Sequence, residues 1–187
     1  MRPKGTQALS NPETDGPPRA VLIAALVVAV VAVGAALAYA AARQSGEPPT
    51  GPIPLAMVPA PHADDAACRS VLHGLPPQLG DYRRAELLEP APAGAAAWTA
   101  GSGQSVVLRC GLDRPADFVV GSPLQVVDAV QWFEVREGDR ATWYAVDRPV
   151  YLALTLPPGS GPTPIQELSD LIAASVPAVP IKPGPAR

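Results

Sequence analysis

From Ala20 to Ala42 the chain reads AVLIAALVVAVVAVGAALAYAAA, with no charged residue and with Arg19 and Arg43 closing the two ends. The run is apolar on every side, whereas a core helix of a soluble domain shows a polar stripe. At 1.5 Å per residue its twenty-three residues reach about 35 Å, enough to cross a hydrocarbon core of about 30 Å. The pattern predicts a single transmembrane helix over 20–42. After residue 62 the pattern changes to short periods. Asp64 or Asp65 can cap a helix carrying Ala67, Cys68, Val71 and Leu72 on one face, with Gly74 as its C′ residue and Pro76-Pro77 beyond. Signals are weak from Asp81 to Gly103, where Ala, Pro and Gly dominate, and a long excursion around Trp98 is expected. Ser105–Arg109, Leu124–Val135 and Ala141–Val146 read as strands, the last two joined by a polar loop, Arg136–Arg140, with a glycine at its centre. Val150, Leu152, Leu154 and Leu156 alternate with Tyr151, Ala153 and Thr155, the signature of a half-buried strand. Thr163, Pro164 and Gln166 form a capping box with proline at the first helical position, and Ile165, Leu168, Leu171, Ile172 and Val176 continue at helical spacing. The expectation is an α+β domain: an antiparallel sheet of about four strands with two helices on one face.

Composition sets the boundaries. Fourteen of the 25 prolines precede residue 62 or follow residue 175. Residues 43–61 should therefore form a semi-rigid, Pro-rich linker and 176–187 a disordered tail, leaving 62–175 as one domain. Arg2, Lys4 and Arg19 precede the apolar run, and after it Arg43 is the only basic residue before Arg69. That asymmetry puts residues 1–19 in the cytoplasm and the domain outside, anchored in the cell membrane. A cleaved signal peptide is the alternative, since Ala38-Tyr39-Ala40 and Ala40-Ala41-Ala42 are small-x-small sites. The run is nevertheless longer than the 7–15 residues of a usual signal core. The domain is exported on either reading.

Cys68 and Cys110 are the only cysteines. In an exported domain they most economically form one disulfide, closing a loop for which chain entropy suggests about 4 kcal/mol. Two buried free thiols are the alternative. A metal site would need two further ligands, and only His62 and His73 are at hand.

Residue patterns that carry chemistry are sparse. His73 is the only histidine past the domain's first residue and has no Gly-x-Ser-x-Gly nucleophile to serve, so no catalytic residue is assigned. Gly101-Ser102-Gly103 lacks the lysine of a phosphate loop, and no cofactor motif occurs. Residues 62–175 hold eight arginines, no lysine and fourteen acids, a net charge of −6, which argues against nucleic acid as a partner. Trp98, Trp132, Phe133, Trp143 and Tyr144 read as core residues before they read as a recognition surface. One echo stands out: Leu112-Asp113-Arg114-Pro115 and Val146-Asp147-Arg148-Pro149. The plain account is two turns in which aspartate bonds nearby backbone and proline starts the next strand. The functional account uses Asp113, Arg114, Asp147 and Arg148 as a site for an anionic ligand, or in a small exported enzyme.

Taken in order, Cys68, Leu75-Pro76, Ala97-Trp98, Val107-Leu108-Arg109-Cys110-Gly111, Arg114-Pro115, Val130, Trp132-Phe133, Val146-Asp147-Arg148-Pro149 and Leu156-Pro157 resemble an actinobacterial family, domain of unknown function 3515. The resemblance covers about residues 64–176. It implies an exported or membrane-anchored envelope protein with two linked cysteines, and it supplies no activity and no catalytic residue. The expected partners are the lipid bilayer, through 20–42, and another cell-envelope protein. The leading expectation is a non-enzymatic accessory module.

Overall fold

A computed structural model describes residues 19–44 and 51–186. Most of the expected cytoplasmic segment and residues 45–50 of the expected linker lie outside the described residues. The chain divides after Gln44 into two units. The first is helix α1, Arg19–Gln44. Its stretch Ala20–Leu37 has a mean hydropathy of 3.0 and buries nothing within the protein. Among the described residues it is the one helix long and apolar enough to cross a membrane, a property that a signal sequence shares.

The second unit is α+β. Its elements in chain order are α2 (Ala66–Gly74), β1 (Gln78–Leu79), β2 (Tyr82–Ala85), β3 (Ala95–Thr99), β4 (Ser105–Leu112), β5 (Gln125–Val127), β6 (Val130–Glu137), β7 (Arg140–Ala145), β8 (Tyr151–Leu156) and α3 (Thr163–Ser175). All eight strands join one antiparallel sheet in the order β1-β2-β3-β4-β8-β7-β6-β5. Two four-stranded meanders therefore meet where β4 pairs with β8. Helix α3 touches β1 at one edge and β5 and β6 at the other, so the sheet curls around it. Alternation along the central strands separates the faces. Val106, Leu108, Cys110, Leu152, Leu154 and Leu156 join Val71, Ile165, Leu168 and Ile172 of the two helices in the main core. On the opposite, outer face Phe118, Phe133 and Val146 form a smaller cluster with Tyr144 and Tyr151 against it.

The sheet has eight strands where about four were expected, and the reasons are local. Ala95-Ala96-Ala97-Trp98-Thr99 has little β propensity, yet Ala96 to Thr99 are all buried and pairing with β2 and β4 holds them extended. Trp98, expected in an excursion, is a fully buried core residue whose Nε1 donates to the Pro76 carbonyl. The run 124–135 is a hairpin: Asp128 and Ala129 turn with φ of 45° and 66°, and no Gly or Asn announces the turn. The helix cap also differs, because Pro162 holds the N-cap position of α3 and makes no side-chain cap bond.

Both Pro-rich flanks are laid on the domain. Ile53 N–H donates to Glu86 O and Ile53 O accepts from Leu88 N–H, each at 2.9 Å. His62 N–H donates to Gly111 O at 3.0 Å. Gly111 sits at φ +85°, and a Cβ there would collide with the His62–Ala63 backbone, so glycine is required for this crossing. At the other end the segment expected to be disordered after residue 175 is fastened. Val179 N–H donates to Asp147 O, Gly184 N–H to Phe118 O, and Gly184 O accepts from Val120 N–H. Proline removes donors from such a segment but leaves its carbonyls, and the non-proline positions supply the N–H groups used here.

Candidate functional site

Cys68 of α2 and Cys110 of β4 are joined, with a Cα–Cα distance of 5.7 Å, and both are fully buried. The bridge ties the first domain helix to the centre of the sheet. His73 is exposed at the end of α2.

The sheet brings the two Asp-Arg-Pro turns to one place. Residues 113–115 follow the end of β4, residues 147–149 precede the start of β8, and Leu112 pairs with Tyr151. Their environments differ. Asp113 and Arg114 are exposed, and Arg114 Nη1 donates to Phe118 O at 2.9 Å. The second copy is buried: the Asp147 and Arg148 side chains are 3% and 2% exposed. Arg148 Nη1 lies 2.9 Å from Asp147 Oδ1 and donates to the Asp147 carbonyl at 3.0 Å, while Nη2 donates to Ala129 O at 2.9 Å. One guanidinium thus clamps its own turn and the β5–β6 turn. Its Nε has no hydrogen-bond partner among the described residues. Asp113 takes no part in this cluster, so the two copies do not form a matched pair of acid–base sites.

The C-terminal segment links the turns. Val179 bonds Asp147, Gly184 packs against the Arg114 guanidinium, and Tyr151 Oη donates to Lys182 O at 3.4 Å. Between this segment and the start of β8 lies a cavity of about 340 Å³ to which Arg148, Tyr151 and Lys182 contribute. Burial pushes the Tyr151 hydroxyl above its ordinary value, and the charge of Arg114 opposes that rise. Arg114 therefore sits within electrostatic reach of the same phenol. Sequence reading missed Tyr151 and Lys182. The available signal was that Lys182 is the only lysine after Lys4.

A larger cleft, about 580 Å³, opens on the outer face at the opposite end of β4 and β8. Its floor includes Ser105, Val107 and Thr155, its rim Gln104, Asp139 and Arg140, and one wall is the N-terminal flank, Ile53-Pro54-Leu55. Thr155 shares a 3.1 Å hydroxyl bond with Thr142. The lining is rich in hydroxyl and amide groups, and its one acid and one base are consecutive residues. No group of three or more His, Cys, Asp or Glu placed to hold a metal ion occurs among the described residues.

The family model described as Protein of unknown function (DUF3515) matches residues 26–181. No curated protein and no solved structure matches the chain.

Proposed function

Because the chain belongs to the DUF3515 family of proteins of unknown function, its role has to be argued from its own geometry, and we propose a membrane-anchored, extracytoplasmic binding domain of the cell envelope. The 18 unburied residues of α1, the basic asymmetry around them and a fully buried disulfide support the location. The role is that of a non-enzymatic accessory module that engages another envelope protein. One observation carries it: the 580 Å³ cleft has the membrane-proximal flank as a wall. Side chains such as Ser105, Gln104 and Thr155 offer donors and acceptors without a net charge, which suits an extended polypeptide segment better than a charged metabolite.

The test is site-specific photo-crosslinking in intact cells. A photoreactive residue replacing Gln104 or Pro158, both in the cleft, should give one discrete adduct with an envelope protein. The same residue at Arg69, exposed on α2, should not. Equal labelling from all three positions, or none from any, would refute the cleft as the contact.

A further inference from the structure

The second cavity carries an inference that does not depend on the protein-binding role. We infer that the cavity between the start of β8 and the C-terminal segment is a binding site for a compact oxyanion, a phosphate monoester or carboxylate bearing a short apolar substituent. Two basic side chains and a phenol line it, Arg148, Lys182 and Tyr151; Arg148 is paired with the Asp147 carboxylate behind the lining, so Lys182 supplies the uncompensated charge. Val146, Val179 and Pro180 supply an apolar wall. Such a combination orients an amphiphilic anion, charge to one side and hydrocarbon to the other.

Three features make the site more than a chance meeting of cations. Arg148 is held by the Asp147 carboxylate and by the Asp147 and Ala129 carbonyls, so its guanidinium is fixed in place before any ligand arrives. Preorganisation of this kind removes the ordering cost that a solvent-exposed arginine would incur on binding. Its Nε is enclosed without a hydrogen-bond partner among the described residues, which adds to the electropositive character of this end of the domain. Lastly, Arg114 lies close enough to act on Tyr151, which puts a further cation beside the cavity in a domain of net negative charge. The volume, about 340 Å³, lies at the lower end of the range for small-molecule sites and limits the ligand to a headgroup-sized species.

The protein offers its own reporter. Lys182 is the only lysine after Lys4, so an amine-acylating reagent reads the occupancy of the cavity against Lys4 as internal reference. The full chain in neutral detergent is titrated with phenyl phosphate, benzoate and inorganic phosphate, followed by acylation and peptide mapping. A parallel sample is reconstituted in phosphatidylcholine vesicles with and without phosphatidic acid, whose headgroup is a phosphate monoester. Phenyl phosphate or benzoate should protect Lys182, and not Lys4, saturably at sub-millimolar concentration. Calorimetry on Lys182→Gln should show affinity reduced about tenfold, as expected for loss of one charge-assisted bond. Tyr151→Phe should weaken binding by a smaller factor, and both variants, altered at the rim, should retain the melting temperature of the parent. Protection by the soluble anions identifies a free ligand as the source. Protection only in phosphatidic acid vesicles identifies a membrane headgroup. Absence of protection in every arm, or binding unchanged in both variants, overturns the site.

Discussion

Arg148 and Asp147 show what a charged pair does once it leaves water. Their side chains are almost completely enclosed, and the guanidinium holds the Ala129 carbonyl in a turn where two non-glycine residues have positive φ. Removing one partner strands the other charge, at a typical cost of about 3–5 kcal/mol. Asp147→Asn or Arg148→Met should therefore lower the denaturation midpoint strongly in a chemical unfolding curve, while Asp113→Asn, on an exposed turn, should leave it nearly unchanged. Equal effects of Asp147→Asn and Asp113→Asn would contradict the asymmetry between the two copies. The sequence shows the echo and its turn chemistry, but not that one copy is buried, since that depends on which strand end the C-terminal segment covers. Tyrosines give the pH dependence. Burial raises the Tyr144 and Tyr151 hydroxyls above 10.0, with Glu137 adding to the first and Arg114 opposing the second. The unfolded chain then ionises first as pH climbs, so stability is fully present below pH 10 and declines above it. Unfolding curves between pH 8 and 11 should show that decline, and the double variant Tyr144→Phe, Tyr151→Phe should flatten it. An undiminished slope would mean that other groups govern the alkaline limb.

At the scale of elements, the strands carried by alternation or β-branched runs were legible: β4, β7 and β8 lie within a residue or a few of their expected places. Both domain helices were legible as well, through their 3.6-residue stripes. What escaped was held by neighbours and not by its own composition. The alanine strand β3 is extended because β2 and β4 flank it, and the β5–β6 turn is bent because Arg148 grips it. The two Pro-rich flanks escaped for a related reason: composition reports that proline cannot join a ladder, but not that single N–H and C=O groups between prolines can still dock. The C-terminal segment makes three backbone hydrogen bonds to the domain through Val179 and Gly184. At a net 0.5–1.5 kcal/mol each, deleting residues 177–187 should cost about 2–4 kcal/mol and expose Asp147. Amide exchange would check this: Val120, whose partner is lost, should exchange much faster in the truncated chain, and protection equal to the full chain would show the segment to be dispensable.

For the whole molecule, a reporter active only in the cytoplasm, fused after Arg187, should be silent, and N-terminal sequencing of the membrane fraction should return the intact start of the chain. Strong reporter activity would reverse the topology, and a mature chain beginning at Ala41 or Arg43 would make α1 a signal sequence. Non-reducing peptide mapping should recover Cys68 and Cys110 in one cross-linked species, and Cys110→Ala should cost about 2–5 kcal/mol. The bridge also decides how the domain would bear tension applied through its N-terminal flank. A pull from the N-terminal side first peels the flank at Ile53 and His62, then reaches Cys68, and there the load jumps through the sulfur bond to Cys110 in the middle of the sheet. The sequence separation of 42 between the two cysteines is locked out of the extension, about 150 Å of contour at roughly 3.6 Å per residue. Strands β1 to β3 would ride as cargo on an already closed loop while β8, paired with β4 at Cys110, carries the force. In single-molecule pulling, reductant should lengthen the fully extended chain by that amount, and the bridge would act as a mechanical shunt.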